Sequence, residues 1–498
     1  MIGRPVLLVG LCSAGLVASV ALGVPAVAGP PEPPVVVHQG VVTRQDIPSQ
    51  PGSEPDTVVE PDIAVSPIDR NIAIAAAHDS RFADGGAVDI SVAWTSDAGK
   101  TWRHAPVKGI TTATGGLYDR ASDPVVAFGP DGTAYLSVLL IDATTCPSAV
   151  AVLRSHNGGQ TWSKPFYAHR SSSCNYSDDK NWIVVDNSKS SPHYGRVYQF
   201  WTPFRYNGDT FLGAPQAVRW SDDKGATWSA TSYITPLDHG TQNSQPMILP
   251  SGSIVDTFYD FGAGGQAPDA VSPGARPDSP LGVRLHARTL PAATATPIDA
   301  TGTVFASTST DGGATWSAAS EVANNAGGYA DGVRCCLFAA DIDALTHVMY
   351  VAYEGGVADT DPVYVSFSTN GTRWSSPIRV SRGDVSGVQR VNVDVVARGG
   401  SVYVAYGTRT QPQHNGGFVQ QQLSVSRNGG FSFGSPISIG PRSVLKYAAQ
   451  AGGYFPGDYI GEAIAPGRLY GVWAVSSKPP AASTSPYHQV IYGATLRP

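Results

Sequence analysis

The feature that most limits what this chain can fold into is a short pattern, Ser-x-Asp-x-Gly-x-Thr-Trp, that recurs along it. Its clearest copy is STDGGATWS, Ser309 to Ser317. TSDAGKTW (Thr95 to Trp102), SHNGGQTWS (Ser155 to Ser163) and SDDKGATWS (Ser221 to Ser229) precede it. STNGTRWS (Ser368 to Ser375) and a degraded SRNGGFSFG (Ser426 to Gly434) follow. Each copy stands where an apolar alternating run ends, as VDISVAW (Val88 to Trp94) does before the first. A hairpin turn belongs at such a place. The chemistry suits a turn. Asp or Asn accepts backbone N–H bonds within its own loop, and Gly tolerates a positive φ. The Trp is large enough to plug the gap between neighbouring hairpins. Six copies in order predict a repeat protein.

A second repeat interleaves with the first. Seven segments each open with a short apolar run, turn at Pro or Gly, and continue into a β-branched or aromatic run. They are Glu60 to Ala77, Ser122 to Leu140, Asp179 to Thr202, Gln245 to Phe261, Arg334 to Gly355, Gln389 to Gly407 and Gly457 to Val475. Six of them lead into a third strand, the turn motif and a fourth strand. The aromatic that closes each motif recurs about every 60 residues, with one gap of 88. That length fits one four-stranded antiparallel sheet per unit. The expected fold is all-β, a β-propeller of such sheets arranged radially, which leaves only short edges. The last unit ends at HQVIYGATL (His488 to Leu496) without a fourth strand, while VVVHQGVV (Val35 to Val42) has no partner. Seven blades closed by that N-terminal strand are therefore expected, six with an accessory hairpin being the alternative. Charged residues make up only 14% of the chain, while Gly (55) and Pro (39) are abundant, as short strands and many turns require.

The first 28 residues read as an export signal. Arg4 is the positive start, an apolar run follows, and Ala26-Val27-Ala28 is a small-x-small cleavage site. Residues 29–56 read as a Pro-rich linker carrying the ring-closing strand, and 57–498 as the propeller. No later segment approaches the roughly 20 apolar residues of a spanning helix. A secreted, monomeric protein is expected. Its net charge of −6 gives no reason to expect nucleic acid as a partner. Cleavage leaves Cys146, Cys174, Cys335 and Cys336, an even count with three pairings. Their spacing is not that of a zinc site. GFSFG (Gly430 to Gly434) matches Gly-x-Ser-x-Gly but lacks the helix that a nucleophile elbow needs.

The turn resembles the Asp-box (BNR) repeat of sialidases and related secreted propellers, over roughly Thr95 to Gly434. In that topology the boxes join the third and fourth strands, on the face that also carries the first-to-second-strand turns. The box residues are then structural. The opposite face receives the longer loops, among them His78 to Gly86, Thr202 to Phe211, Gly262 to Thr303 and Thr408 to Gly417. It also receives the links Tyr118 to Asp123, Ser177 to Trp182, Gly332 to Cys336 and Phe455 to Tyr459. Loops on a rigid scaffold are where sites usually lie. On this map Cys146 and Cys174 share that face on adjacent blades, so a disulfide is expected between them.

The resemblance also implies a mechanism. Sialidases clamp a sugar carboxylate with three arginines, use a Tyr activated by a Glu as nucleophile, and protonate through an Asp. Arg334 and Arg390 stand at the starts of the fifth and sixth innermost strands, as the later two arginines should. Tyr459 enters the seventh as the nucleophile, and Asp79 lies where the acid belongs. The Phe/Tyr-Arg-Ile-Pro motif that carries the first arginine is missing, VVEPDIAV standing in that region, so Arg81 or Arg120 would substitute. Glu60 and Glu354 are the better placed of the few glutamates for the partner of Tyr459. No cofactor is expected, although Asp123, Asp178, Asp179 and Asp458 offer oxygen ligands for a structural Ca²⁺. Two functions stay open. One is a secreted glycoside hydrolase of sialidase type, acting on a glycan or glycoprotein and releasing sialic acid or a similar acidic sugar. The other is a non-catalytic glycan- or protein-binding propeller.

Overall fold

A computed structural model describes residues 33–265, 302–327, 332–333, 337–356, 360–383 and 385–498. Contacts divide the chain into Met1–Glu32, outside the described residues, and Pro33–Pro498. The second part is all-β. Its only helical turns among the described residues are the 3-10 turns Thr112–Thr114 and Leu445–Tyr447. No helix there is long and apolar enough to cross a membrane.

Four consecutive strands pair antiparallel in chain order, and the pattern repeats. In the first unit they are Val58–Val65, Ala73–Arg81, Ala87–Thr95 and Arg103–Pro106. The second unit, from Arg120–Phe128 to Phe166–Ser171, joins it through one residue pair, Ala87 with Ala121. Tyr176–Val185, His239–Ile248, Ala339–Ile342 and Val388–Arg398 each open a further sheet of the same order. The last sheet runs Gly461–Ala465, Arg468–Ser476, Gln489–Arg497, and takes its fourth strand from Val35–Thr43. The N-terminal strand therefore fills the place that the sequence left empty at the other end. The opening strands pack side by side in order, and Gly461–Ala465 packs in turn against Val58–Val65.

The core lies in the seams between sheets. Cluster residues such as Ile74, Val92, Leu136 and Leu153 come from neighbouring units. The turn motifs close these seams. Asp311 accepts bonds from Ser309 Oγ (2.8 Å), Ala314 N (3.1 Å), Thr315 N (2.9 Å) and Thr315 Oγ1 (2.6 Å). Asp97, Asn157, Asp223, Asn370 and Asn428 likewise accept from backbone N–H groups of their own turns. Trp162 packs on the seam of the first two units, Trp316 on the next but one, and Trp374 on the one after that. The turn glycines allow the close approach. Gly159 has a φ of +89°, and a Cβ there would meet Ile74 Cγ2 of the preceding unit at 2.6 Å. Gly99 of the first unit abuts Thr495 of the last sheet in the same way.

The turn motifs share one end of the molecule with the first-to-second-strand turns. Lys224 Nζ meets Asp131 at 2.6 Å, and Arg196 donates to Gly312 O at 3.3 Å. Toward the opposite end a disulfide ties Cys146, in a second-to-third-strand loop, to Cys174, in the link to the next sheet. Cys335 and Cys336 lie outside the described residues, as does most of the long loop from Gly262 to Thr303. Residues 44–57 are packed against the first sheet. Asp46 accepts from Ser91 Oγ (2.6 Å) and lies 2.8 Å from His104 Nδ1, and Glu54 N donates to Arg81 O (2.7 Å).

Candidate functional site

The opening strands share an irregularity that the repeat imposes near the axis. Strand pairing slips between Val59 and Asp62, Ser122 and Val125, Asp179 and Trp182, Gln242 and Gln245, and Val391 and Val393. Within each slip one residue is left-handed: Glu60 (φ +55°), Asp123 (+47°), Lys180 (+43°), Asn243 (+64°) and Asn392 (+51°). Such bulges re-aim side chains and gather at functional sites. A left-handed residue other than glycine costs on the order of 1–3 kcal/mol. All five are polar, and all five are buried.

Two of them serve the scaffold alone. Asn243 Nδ2 donates to Phe338 O (2.9 Å) and Asn392 Nδ2 to Gly457 O (2.8 Å), each reaching the next unit. The other three meet at one place. Glu60 Oε2 lies 2.9 Å from Nδ1 of His78, a residue of the adjoining strand that is itself buried. His78 Nε2 accepts the backbone N–H of Asp123 at 2.8 Å. Since that N–H can only donate, Nε2 must be the unprotonated nitrogen, and the ring proton sits on Nδ1 facing Glu60. Asp123 Oδ1 accepts from Ser122 Oγ (2.7 Å). Lys180 Nζ stands 3.4 Å above the centre of the Tyr459 ring. Asp458 N lies 3.4 Å from Glu60 Oε1, tying the last sheet to the first.

Electrostatics separate these groups. Burial works against the Glu60 carboxylate, but His78, then Lys180 and Arg81, outweigh it and hold its pKa below the usual carboxylate range. Tyr459 moves the other way. Burial, then the carboxylates of Glu60, Asp123, Asp62 and Asp458, push its phenol well above the usual range. Burial also lifts Asp62 to about 7. The axis therefore holds an ionised carboxylate beside a phenol that keeps its proton.

Glu60, His78 and Asp123 are also the one trio of metal-ligand type found among the described residues, their candidate atoms within 4.8 Å of one another. His78 Nε2 is taken by the Asp123 N–H, and Nδ1 is left facing Glu60 as the proton carrier. The arrangement fits a shared proton better than a cation. The oxygen set expected for Ca²⁺ is dispersed. Asp178 Oδ2 accepts from Ser148 Oγ and lies by His169 Nδ1, both at 2.9 Å. Asp179 faces Gln242 Nε2 (3.1 Å) instead.

Of the residues expected from sequence, the fold brings Tyr459 and Glu60 together. Asp79 stands apart. Side chains alternate along a strand, so where His78 faces Glu60, Asp79 turns to the N-terminal segment and accepts from Asp46 N at 2.8 Å. Burial, with Asp46 and Asp89 nearby, raises it to about 8. Glu354 is fully buried in the fifth unit, raised to about 8 by burial, and acts on Tyr259 rather than Tyr459. The arginines are held by different partners. Arg81 donates to Gln450 O (2.8 Å) and lies over Phe455. Arg120 pairs with Asp84 (2.8 Å) and lies over Phe82. Arg390 donates to Arg382 O (2.7 Å). Arg334 lies outside the described residues. His78 and Lys180 were not among the expected residues. The signal for Lys180 is a charged or amide residue recurring in an innermost strand that should be apolar, as in VVEPDI, ASDPVV, DDKNWI and RVNVDV; His78, on a second strand, has no such signal.

No protein-family model and no curated protein matches the chain. Solved structures do. A protein of unknown function from Dyadobacter fermentans is 12% identical, with 93% of this chain and 100% of that one covered and a TM-score of 0.43. An α-L-arabinanase of Penicillium chrysogenum, complexed with arabinobiose, is 11% identical over 79% and 98%, with a TM-score of 0.48. A Trypanosoma rangeli sialidase is 12% identical over 78% and 58%, with a TM-score of 0.44. All three scores lie below 0.5, and the chain is similar to these proteins in its trace, not assigned to them.

Proposed function

We propose that this chain is a secreted, seven-bladed Asp-box propeller that hydrolyses glycosidic bonds of an acidic sugar, with Glu60, His78, Asp123 and Tyr459 as its reaction centre. The cyclic order of the opening strands and the N-terminal strand in the last sheet support the seven-bladed ring. The leader-like first 28 residues and the Cys146–Cys174 disulfide support export.

The observation that carries the reaction is the Glu60–His78–Tyr459 cluster, assembled from three separated parts of the chain with Glu60 on strained backbone. In the sialidase-type route Tyr459 attacks the anomeric carbon as the glycosidic C–O bond breaks, its proton passing to Glu60 while the acid protonates the leaving oxygen. Water then cleaves the tyrosyl–sugar bond, and Glu60 returns the proton to the phenol. The high pKa of Tyr459 excludes a standing phenolate, so this transfer must be concerted with attack. His78 Nδ1–H holds the Glu60 carboxylate in place. Asp123, at the rim of the cluster, takes the acid role first given to Asp79. Glu354, Arg81, Arg120 and Arg390 have no part in this scheme.

A non-catalytic glycan-binding propeller is the second reading. The separate engagement of the arginines favours it, because a carboxylate clamp needs convergent forks. Turnover decides between the two. The protein is incubated with a fluorogenic sialoside, a panel of uronic-acid glycans and arabinan, beside Glu60→Gln and Tyr459→Phe. The proposal expects turnover of an acidic substrate that falls by about a hundredfold or more in both variants. Glycan binding without turnover of any substrate would establish the second reading instead.

A further inference from the structure

Lys180 is the unexplained member of the axial bulges. Its neighbours in the series, Glu60, Asp123, Asn243 and Asn392, are each hydrogen-bonded. Lys180 is 3% exposed, yet its Nζ has no hydrogen-bond partner. The ammonium is held by rings: the Tyr459 centre at 3.4 Å and the Trp182 ring at 5.5 Å. Cation–π contacts of this kind fix a cation's position and leave its N–H donors unused. The charges that feel it are already engaged, Glu60 by His78 and Asp62 by the N–H of Val126 at 2.7 Å. An ammonium buried without a hydrogen-bonded anion is costly. Here the cost is compounded by a left-handed backbone at a lysine, a residue that gains nothing from it. The hydroxyl of Tyr459 is buried and unpartnered too. The cluster is not sealed, since Asp123, Asp179 and Tyr459 keep 7%, 8% and 6% of their surface.

We infer that Lys180 is the receptor for an anionic group carried by the sugar ligand, a carboxylate or a sulfate ester. This rests on the axial cluster being a glycan site. It adds to that reading the group that receives the ligand's negative charge. A lysine ammonium is a compact point charge on a flexible stem, so it can leave the Tyr459 face to meet the ligand. It also accepts tetrahedral and planar anions alike, where an arginine fork would favour the planar one. Arg81, Arg120 and Arg390 are held by other partners, which leaves Lys180 as the cation over Tyr459.

The test is ligand-dependent thermal unfolding of the full chain with four probes: glucuronate, its methyl ester, glucose 6-sulfate and glucose. Turnover of the glycan panel is measured in parallel. At saturating millimolar sugar the inference expects the two anions, or one of them, to raise the midpoint by about 2 °C or more. The ester and glucose should not. A response to glucuronate alone identifies a sugar acid, and one to the sulfate alone a sulfated sugar. Lys180→Met should weaken the response by about ten- to a hundredfold in affinity, and Lys180→Arg should keep part of it. Equal shifts with the ester and the acid overturn the inference, as does an unchanged response in Lys180→Met. If Lys180→Met does not fold, the wild-type comparison of acid with ester still decides. Turnover without preference for charge would sink the Lys180 role and leave the hydrolase standing. An anion-specific shift without any turnover would do the reverse.

Discussion

Asp311 and Asp62 both end a strand's unmet hydrogen bonding, and their environments drive them in opposite directions. Asp311 sits in an exposed turn and accepts four bonds from groups within four residues of itself. Those bonds, the Thr315 hydroxyl first, hold its pKa at about 2. Asp62 accepts the N–H of Val126 from the next unit, in a buried place, and burial lifts it to about 7. It lines an axial cavity of about 300 Å³ together with Asp341, Asp394 and Glu462. Asp341 and Asp394 repeat the device, accepting Ala397 N (2.8 Å) and Glu462 N (2.6 Å) of the following unit. The outer turns spend their carboxylates locally and keep them hydrated. The axis spends them between units and dehydrates them. Repetition of a motif thus marks structure at the rim, whereas chemistry is found where repeated positions carry different side chains.

The comparison breaks most visibly if turnover depends on the wrong end. Replacing His78 by Ala removes the proton that faces Glu60 and should lower turnover by about 10²–10⁴-fold. Replacing Asp311 by Ala should leave turnover within about twofold. It should instead cost roughly 1–2 kcal/mol of stability, read from the urea midpoint, because several turn donors lose their acceptor together. A catalytic defect in Asp311→Ala with a normal midpoint would reverse the assignment of the two ends.

A pH series sharpens the comparison, since the two regions carry opposite signs. Asp62 and Asp341 have folded pKa values of about 7, above their unfolded values, chiefly through burial. Their contribution is fully present below about pH 4 and is lost as pH rises through 7. For Asp62 alone the span is about 4 kcal/mol. Asp79, Asp89, Asp256 and Glu354 are raised too and add in the same direction. Asp223 and Asp311 are lowered to about 2, so their support is present above about pH 4 and lost as pH falls through 2. Urea midpoints should therefore fall between pH 4 and pH 8, and fall less in Asp62→Asn. Midpoints that climb over that range would contradict the buried axial carboxylates.

The same contrast decides what was legible in the sequence. The turns were readable because each is closed by side chains only two to four residues apart, as Ser309, Asp311 and Thr315 are. The missing fourth strand was readable by counting. The site was not, because Glu60 and His78 come from the first four-strand unit, Asp123 from the second, Lys180 from the third, and Tyr459 from the link into the last. A bulge also shifts the face on which each side chain appears. His78, which faces Glu60, and Asp79, which binds the N-terminal segment, are neighbours on one strand, and it is the slip between Val59 and Asp62 on the adjoining strand that turns Glu60 toward the first of them. Periodicity along a strand cannot supply that offset. The arginines misled for a related reason: their chain positions suit a carboxylate clamp, but Asp84, Gln450 O and Arg382 O satisfy them first.

The smallest effect concerns the degraded turn at Ser426 to Gly434. Asn428 there accepts Ser432 N (3.1 Å) and Ser426 Oγ (2.8 Å), and donates from Nδ2 to Ser432 Oγ (3.0 Å). Asn428→Asp replaces that donated bond by one accepted from the Ser432 hydroxyl, which is free to rotate. The number of bonds is kept and one becomes charge-assisted. The site is exposed, so the gain is expected to be a few tenths of a kcal/mol at neutral pH. It should vanish as pH falls below about 4, where the new carboxyl takes up a proton. The midpoint difference between Asn428→Asp and wild type, measured at pH 7 and pH 3, reads this directly. A loss of stability at pH 7 would mean that the turn needs the amide donor, and that the Asp and Asn copies are not the same device.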